Sequence, residues 1–132
     1  MTEATDIEIY IASTSADALK SWLAEQLDEV EPAKRQPGMP KNAVAMTGYW
    51  HGQSFSILVL ERVVGRFTSL WLNSSDLPWS DDAACARAAS EQFNQETRIA
   101  AGGWTESDDP DAWVQIMPDG TETAINWKTG QV

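Results

Sequence analysis

Four carboxylates, Glu106, Asp108, Asp109 and Asp111, fall within six residues of this chain, and Trp104 lies two residues before the first of them. Oxygen ligands at that density are what calcium uses, since the ion takes about six to eight oxygens on a flexible loop. The spacing of an EF-hand is absent: Pro110 interrupts the run, and no glycine or distal glutamate follows at the required offsets. The expectation is therefore no resident metal or cofactor, with a calcium-stabilised domain as one alternative.

His51 and Cys85 are each the only residue of their type. A Ser–His–acid site would need His51, because no other side chain titrates near neutrality unaided. It stands in His51-Gly52-Gln53, which reads as a turn, and no Gly-x-Ser-x-Gly motif accompanies it. One cysteine and one histidine cannot build a zinc site. Cys85 follows Asp81 and Asp82 on an alanine-rich helical face, where nearby acids and burial both disfavour a thiolate. Gly102-Gly103 lacks the lysine of a phosphate loop, and acids follow it. No residue is expected to be catalytic.

Binding is the stronger expectation. Between Asp76 and Glu122 there are eleven acidic residues and two basic ones, together with Trp79, Trp104 and Trp113. Amphipathic rings framed by acids suit a protein-binding surface or a pocket for a cation. Asp81 and Asp82 are accounted for by the start of a helix, Trp113 by a hairpin and Asp119 by its turn. The residues left over are the candidate binding set: Trp79, Trp104, Glu106, Asp108, Asp109 and Asp111.

The 132 residues fit one domain, with 42% hydrophobic residues and a formal net charge of −11. A field of one sign repels nucleic acid and anionic membranes and draws cationic partners, although solubility or a saline habitat would also account for it. A lone cysteine excludes a fold stapled by intrachain disulfides. The start, Met1-Thr2-Glu3-Ala4-Thr5-Asp6, has neither the basic nor the apolar part of a signal peptide, and Ile57-Leu58-Val59-Leu60 is too short to span a bilayer. The expected compartment is the cytoplasm.

Several elements must position these residues. Ile7, Ile9 and Ile11 alternate with Glu8 and Tyr10, which predicts a half-buried strand over 6–12. Leu19, Trp22, Leu23, Leu27 and Val30 recur at helical spacing, which predicts a helix over 16–30 with Thr14 as its cap. Pro32, Pro37, Gly38 and Pro40 make 31–42 a loop, whose Lys34, Arg35 and Lys41 read as solvated charges. Strands follow over 43–51, 54–63 and 67–73, the second apolar on both faces and so central. Ser80 reads as the N-cap of a helix over 81–95, and 96–101 reads as a short strand. A hairpin then joins 112–117 to 121–127 around Pro118-Asp119-Gly120, with Trp113 and Trp127 on its two strands, placed either to pair across it or to flank the sheet.

The order β-α-β-β-β-α-β-β-β predicts an α+β fold, two helices on one face of a mostly antiparallel sheet, with a ferredoxin-like core plus a C-terminal hairpin as one arrangement that fits. The functional expectation is a small acidic, non-enzymatic interaction module (inhibitor, immunity-type, adaptor or nucleic-acid mimic) with a basic protein partner. The alternative from another class is a small-molecule-binding or enzymatic domain, its pocket lined by Trp50, Trp79 or Trp104 and an acid such as Asp76.

Overall fold

The structure, a computed structural model, describes residues 6–100 and 111–127. Two helices pack on one face of an eight-stranded sheet in which every ladder is antiparallel, an α+β fold. The elements run β1 (Ile7–Ala12), α1 (Ala16–Gln26), β2 (Glu29–Pro32), β3 (Ala43–Trp50), β4 (Gln53–Val64), β5 (Phe67–Leu72), α2 (Asp82–Phe93), β6 (Thr97–Ala100), β7 (Ala112–Ile116) and β8 (Glu122–Asn126). The sheet order is β2-β3-β4-β5-β1-β6-β7-β8. Two meanders, β2 to β5 and β6 to β8, are thus joined through β1, the first strand of the chain. This order does not confirm a ferredoxin-like core.

The alternation of β1 sets the layering. Ile7, Ile9 and Ile11 lie opposite Leu72, Leu70 and Thr68 of β5, and all are buried. The same face continues through Ile57 and Val59 of β4, Met46 of β3 and Ile99 of β6, and the helices cover it with Leu19, Trp22, Leu23, Cys85, Ala86 and Ala89. The alanine face of α2 has no bulk to hold the helix off the sheet, so it approaches β1 and β6 closely. Gly48 serves the same end within the sheet: a Cβ there would stand 2.6 Å from the Phe55 ring.

Local chemistry explains the element ends, with three corrections to the sequence reading. Helix α1 stops at Gln26 rather than residue 30, and Glu29–Pro32 forms an additional strand on the free edge of β3. Val30 fits a helical stripe and a short strand equally, and the ladder to β3 decides between them. The cap of α1 is Ser15, whose Oγ accepts from the Ala18 amide at 3.2 Å, in place of Thr14. The cap of α2 is Asp81, accepting from Ala84 at 2.9 Å, in place of Ser80.

The proline-rich connection is also more ordered than a solvated loop. Arg35 donates to the carbonyls of Ala43, Met39 and Pro40 at 2.7, 3.1 and 2.9 Å, so one guanidinium gathers three backbone acceptors. Elsewhere the turns follow the residues read for them. His51 and Gly52, with φ of 52° and 80°, close a two-residue hairpin between β3 and β4. Gly120, with φ of 92°, follows the turn between β7 and β8 and donates to Met117 O at 2.9 Å.

The helix-free face carries a second cluster. Tyr10, Trp113 and Trp127 meet edge to face with centroids 5.0–5.5 Å apart, and Phe67 packs on Trp127 at 4.9 Å. Arg98 sits 4.5 Å from the ring centroids of both Phe67 and Trp127. Beneath it, buried Glu96 accepts from Arg66, Arg98 and Gln115 at 3.0, 2.7 and 2.7 Å. Trp113 and Trp127 thus meet across the hairpin.

Candidate functional site

The strand registers bring one set of chain reversals to a common end of the sheet. The β3–β4 turn, the exit of α1, the start of β1 and the connection from β5 to α2 all converge there. Hydrogen bonds tie them together. His51 N donates to Asp28 Oδ2 at 3.0 Å, His51 Nδ1 lies 3.3 Å from Asp76 Oδ2, and the Trp71 indole donates to Asp6 Oδ2 at 2.7 Å. The Glu8 amide donates to Asp82 Oδ1 at 3.3 Å.

These segments hold Asp6, Glu8, Asp28, Glu29, Asp76, Asp81 and Asp82 and not one lysine or arginine. All but Asp82 are exposed. At the other end of the sheet, Asp17, Glu61, Glu96, Asp119 and Glu122 are interspersed with Lys41, Arg62 and Arg66, and Glu122 is paired with Arg87. The basic side chains are therefore unevenly placed along the strand axis: among the described residues, the segments at the first end carry carboxylates and no lysine or arginine.

Burial, reinforced by the charges of Asp6, Glu8 and Asp81, pushes the Asp82 carboxyl up to about 6 against the opposing hydrogen bond from Glu8 N. Glu8 is also raised, first by partial burial and then by Asp6. Within this acidic end the His51 ring stacks on Trp50, centroids 4.3 Å apart, and Leu77 and Val30 are half-buried beside the core. The end thus combines carboxylates with a stacked aromatic pair.

His51 and Asp76 meet at the surface. The His51–Asp76 pair is 61% exposed on both side chains. Ser74 Oγ is engaged with the backbone of Asp76, and among the described residues no hydroxyl or thiol bonds to the His51 ring. Cys85 is fully buried, and burial and then the charge of Asp82 hold its thiol above the ordinary range. Among the described residues no group of three or more His, Cys, Asp or Glu side chains is placed to hold a metal ion.

The residues singled out in the sequence fare differently. Trp79, placed in the candidate binding set, is 7% exposed and packs on Trp22, so the core accounts for it. Trp104, Glu106, Asp108 and Asp109 lie outside the described residues. Asp111 stands just before β7, half-buried, and its carbonyl accepts from the Trp127 amide at 2.7 Å. Clefts of about 610, 320 and 200 Å³ are lined by other residues than Trp50, Trp79 and Asp76. What the sequence did not reveal is the joining of Asp28, His51 and Asp76, whose separations of 23 and 25 positions carry no local signal.

No protein-family model matches the chain, and no curated protein or solved structure matches it.

Proposed function

We propose that the protein is a non-enzymatic interaction module that presents its acidic end to a cationic protein partner. The observation that supports this reading is the uneven placing of charge: seven carboxylates without a lysine or arginine among the described residues at one end of the sheet, around the Trp50–His51 stack. Such a field raises the rate of encounter with a basic surface, and the stacked rings give an apolar contact once the surfaces meet. An inhibitor, an immunity-type protein, an adaptor and a nucleic-acid mimic all work in this way. A cytoplasmic setting fits the reading, because the described fold holds one buried free cysteine and no bridge. Among the described residues no helix is long and apolar enough to cross a membrane.

The test is capture at low salt, identification of the bound protein, and titration of that protein against the wild type and a D28N/E29Q/D76N triple variant. These side chains are exposed, so the variant should fold. A basic partner whose affinity falls at least tenfold in the variant, and again with added salt, supports the reading. Equal affinity of wild type and variant, with no salt dependence, would remove it.

A further inference from the structure

The largest of the three clefts, about 610 Å³, lies at the end of the sheet opposite the acidic cluster. It is bounded by the turn from β1 into α1, by the irregular end of β4 and by the exit of α2. Its lining includes Ser13, Thr14, Ser15, Glu61, Arg62 and Arg66. In a chain with nine basic residues against twenty acidic ones, a cleft lined by two arginines offers an anion a local counter-charge.

The backbone is arranged to put them there. The register of β4 against β5 shifts between Leu60 and Val64, so that residues 61–63 leave the ladder. Arg62 adopts φ of 48° within that bulge, its amide held by Thr68 Oγ1 at 3.1 Å. Ser13, across the cleft, has φ of 54°. A left-handed conformation costs a non-glycine residue on the order of 1 kcal/mol, and both of these residues line the cleft. Backbone outliers gathered at a cavity are where a binding role is to be sought.

The charges on the lining are not equivalent. Glu61 Oε2 accepts from the Ala16 amide at 2.8 Å, so its charge is spent on the first turn of α1, and Ser15 Oγ satisfies Ala18. The helix terminus is therefore capped from within and is not what would attract a ligand. Arg66 gives one nitrogen to Glu96 and keeps further N–H donors in its planar fork. Arg62 makes no ion pair among the described residues and is exposed at the rim.

We infer that this cleft binds the oxyanion of a small molecule, a carboxylate or a phosphate, through the guanidinium groups of Arg62 and Arg66. Both groups match the planar, bidentate donor pattern of arginine. The site is independent of the acidic end, so either can fail alone.

The experiment is an amide-resolved NMR titration at constant ionic strength, with inorganic phosphate in one arm and acetate in the other. Saturable shifts at Ser13, Ser15, Arg62 and Gln95 in either arm, without matching shifts at His51 and Asp76, are expected. The arm that saturates at lower concentration identifies the oxyanion. Arg62→Gln should weaken binding about tenfold, as loss of a charge-assisted contact does. Lys41→Gln, an exposed cation at the same end but outside the lining, should leave it unchanged. Absence of saturation in both arms overturns the inference. So does equal weakening by Arg62→Gln and Lys41→Gln, which would show diffuse charge rather than a site.

Discussion

The indole of Trp79 lies against that of Trp22, ring centroids 5.2 Å apart, and Phe93 of α2 meets the Trp22 ring edge-on at 5.7 Å. Three aromatic rings from α1, α2 and the connection before α2 thus share one contact, and it pins residues 73–81 to the helical layer. Replacing Trp79 with alanine should cost about 3–5 kcal/mol, as truncation of a buried large ring does. Urea unfolding should show a lower midpoint at unchanged slope. A variant as stable as the wild type would mean that the ring belongs to the surface after all.

A second prediction concerns the close approach of β3 to β4. A Cβ on Gly48 would fall 2.6 Å from Phe55 Cζ and 2.9 Å from Ile57 Cδ1, both on side chains held in the core. Gly48→Ala should therefore lower stability by about 1–3 kcal/mol through overpacking. Gly52→Ala meets no atom within 4 Å but forces a φ of 80°, so its cost is conformational. A double variant with Phe55→Leu should recover part of the Gly48→Ala loss and none of the Gly52→Ala loss, as measured by thermal unfolding.

Glu96 supplies a third. Burial alone would raise its carboxyl, but hydrogen bonds from Gln115 and Arg98 and the charges of Arg98 and Arg66 outweigh burial and hold it below its ordinary value. A depressed folded value means stability that is present above the usual carboxylate range and is lost as pH falls through the folded value. Glu96→Gln should therefore be destabilised near neutrality, by about 3 kcal/mol if Arg98 is left without its acceptor. The gap to wild type should narrow under acid, and the readout is midpoint against pH for the two proteins.

Asp82 runs the other way. Its folded value of about 6 stands above the ordinary 3.8, so the folded protein holds the proton more tightly than the unfolded chain. That contribution is complete below pH 4 and declines as pH rises through 6. Asp82→Asn keeps an oxygen for the Glu8 amide and removes the charge next to Asp6, Glu8 and Asp81. The melting temperature of the variant relative to wild type should be more favourable at pH 7.5 than at pH 4. A difference independent of pH would show that burial and the neighbouring carboxylates do not raise Asp82 in the folded protein.

Much of the local structure was legible along the chain. The alternation of Ile7, Ile9 and Ile11, the doubly apolar run of Phe55 to Leu60, and the alanine stripe ending at Phe93 each carry their period and their burial together. So do the turns, because His51-Gly52 and Asp119-Gly120 meet a backbone demand within a few residues. The buried, unreactive Cys85 follows from the same helical face.

The limits of that reading are equally physical. Glu29-Val30-Glu31-Pro32 has no apolar alternation, and it becomes a strand only because β3 presents an unpaired edge to it. Trp79 stands among turn-forming residues, so nothing local shows that Trp22 will cover it. The acids of Asp6, Asp28, Asp76 and Asp82 are scattered over 77 positions, and their gathering depends on β1 entering between β5 and β6.

The sequence by itself determined the periodic segments, their faces, the turns and the sign of the charge, because each of these is written in neighbouring side chains. The tertiary structure alone decided which strand meets which, which tryptophans are covered, and that Asp6, Glu8, Asp28, Glu29, Asp76, Asp81 and Asp82 share one end while Arg62 and Arg66 share a cleft at the other. Backbone hydrogen bonds between strands carry no sequence label, so pairing is settled by the burial of the whole sheet against both helices at once.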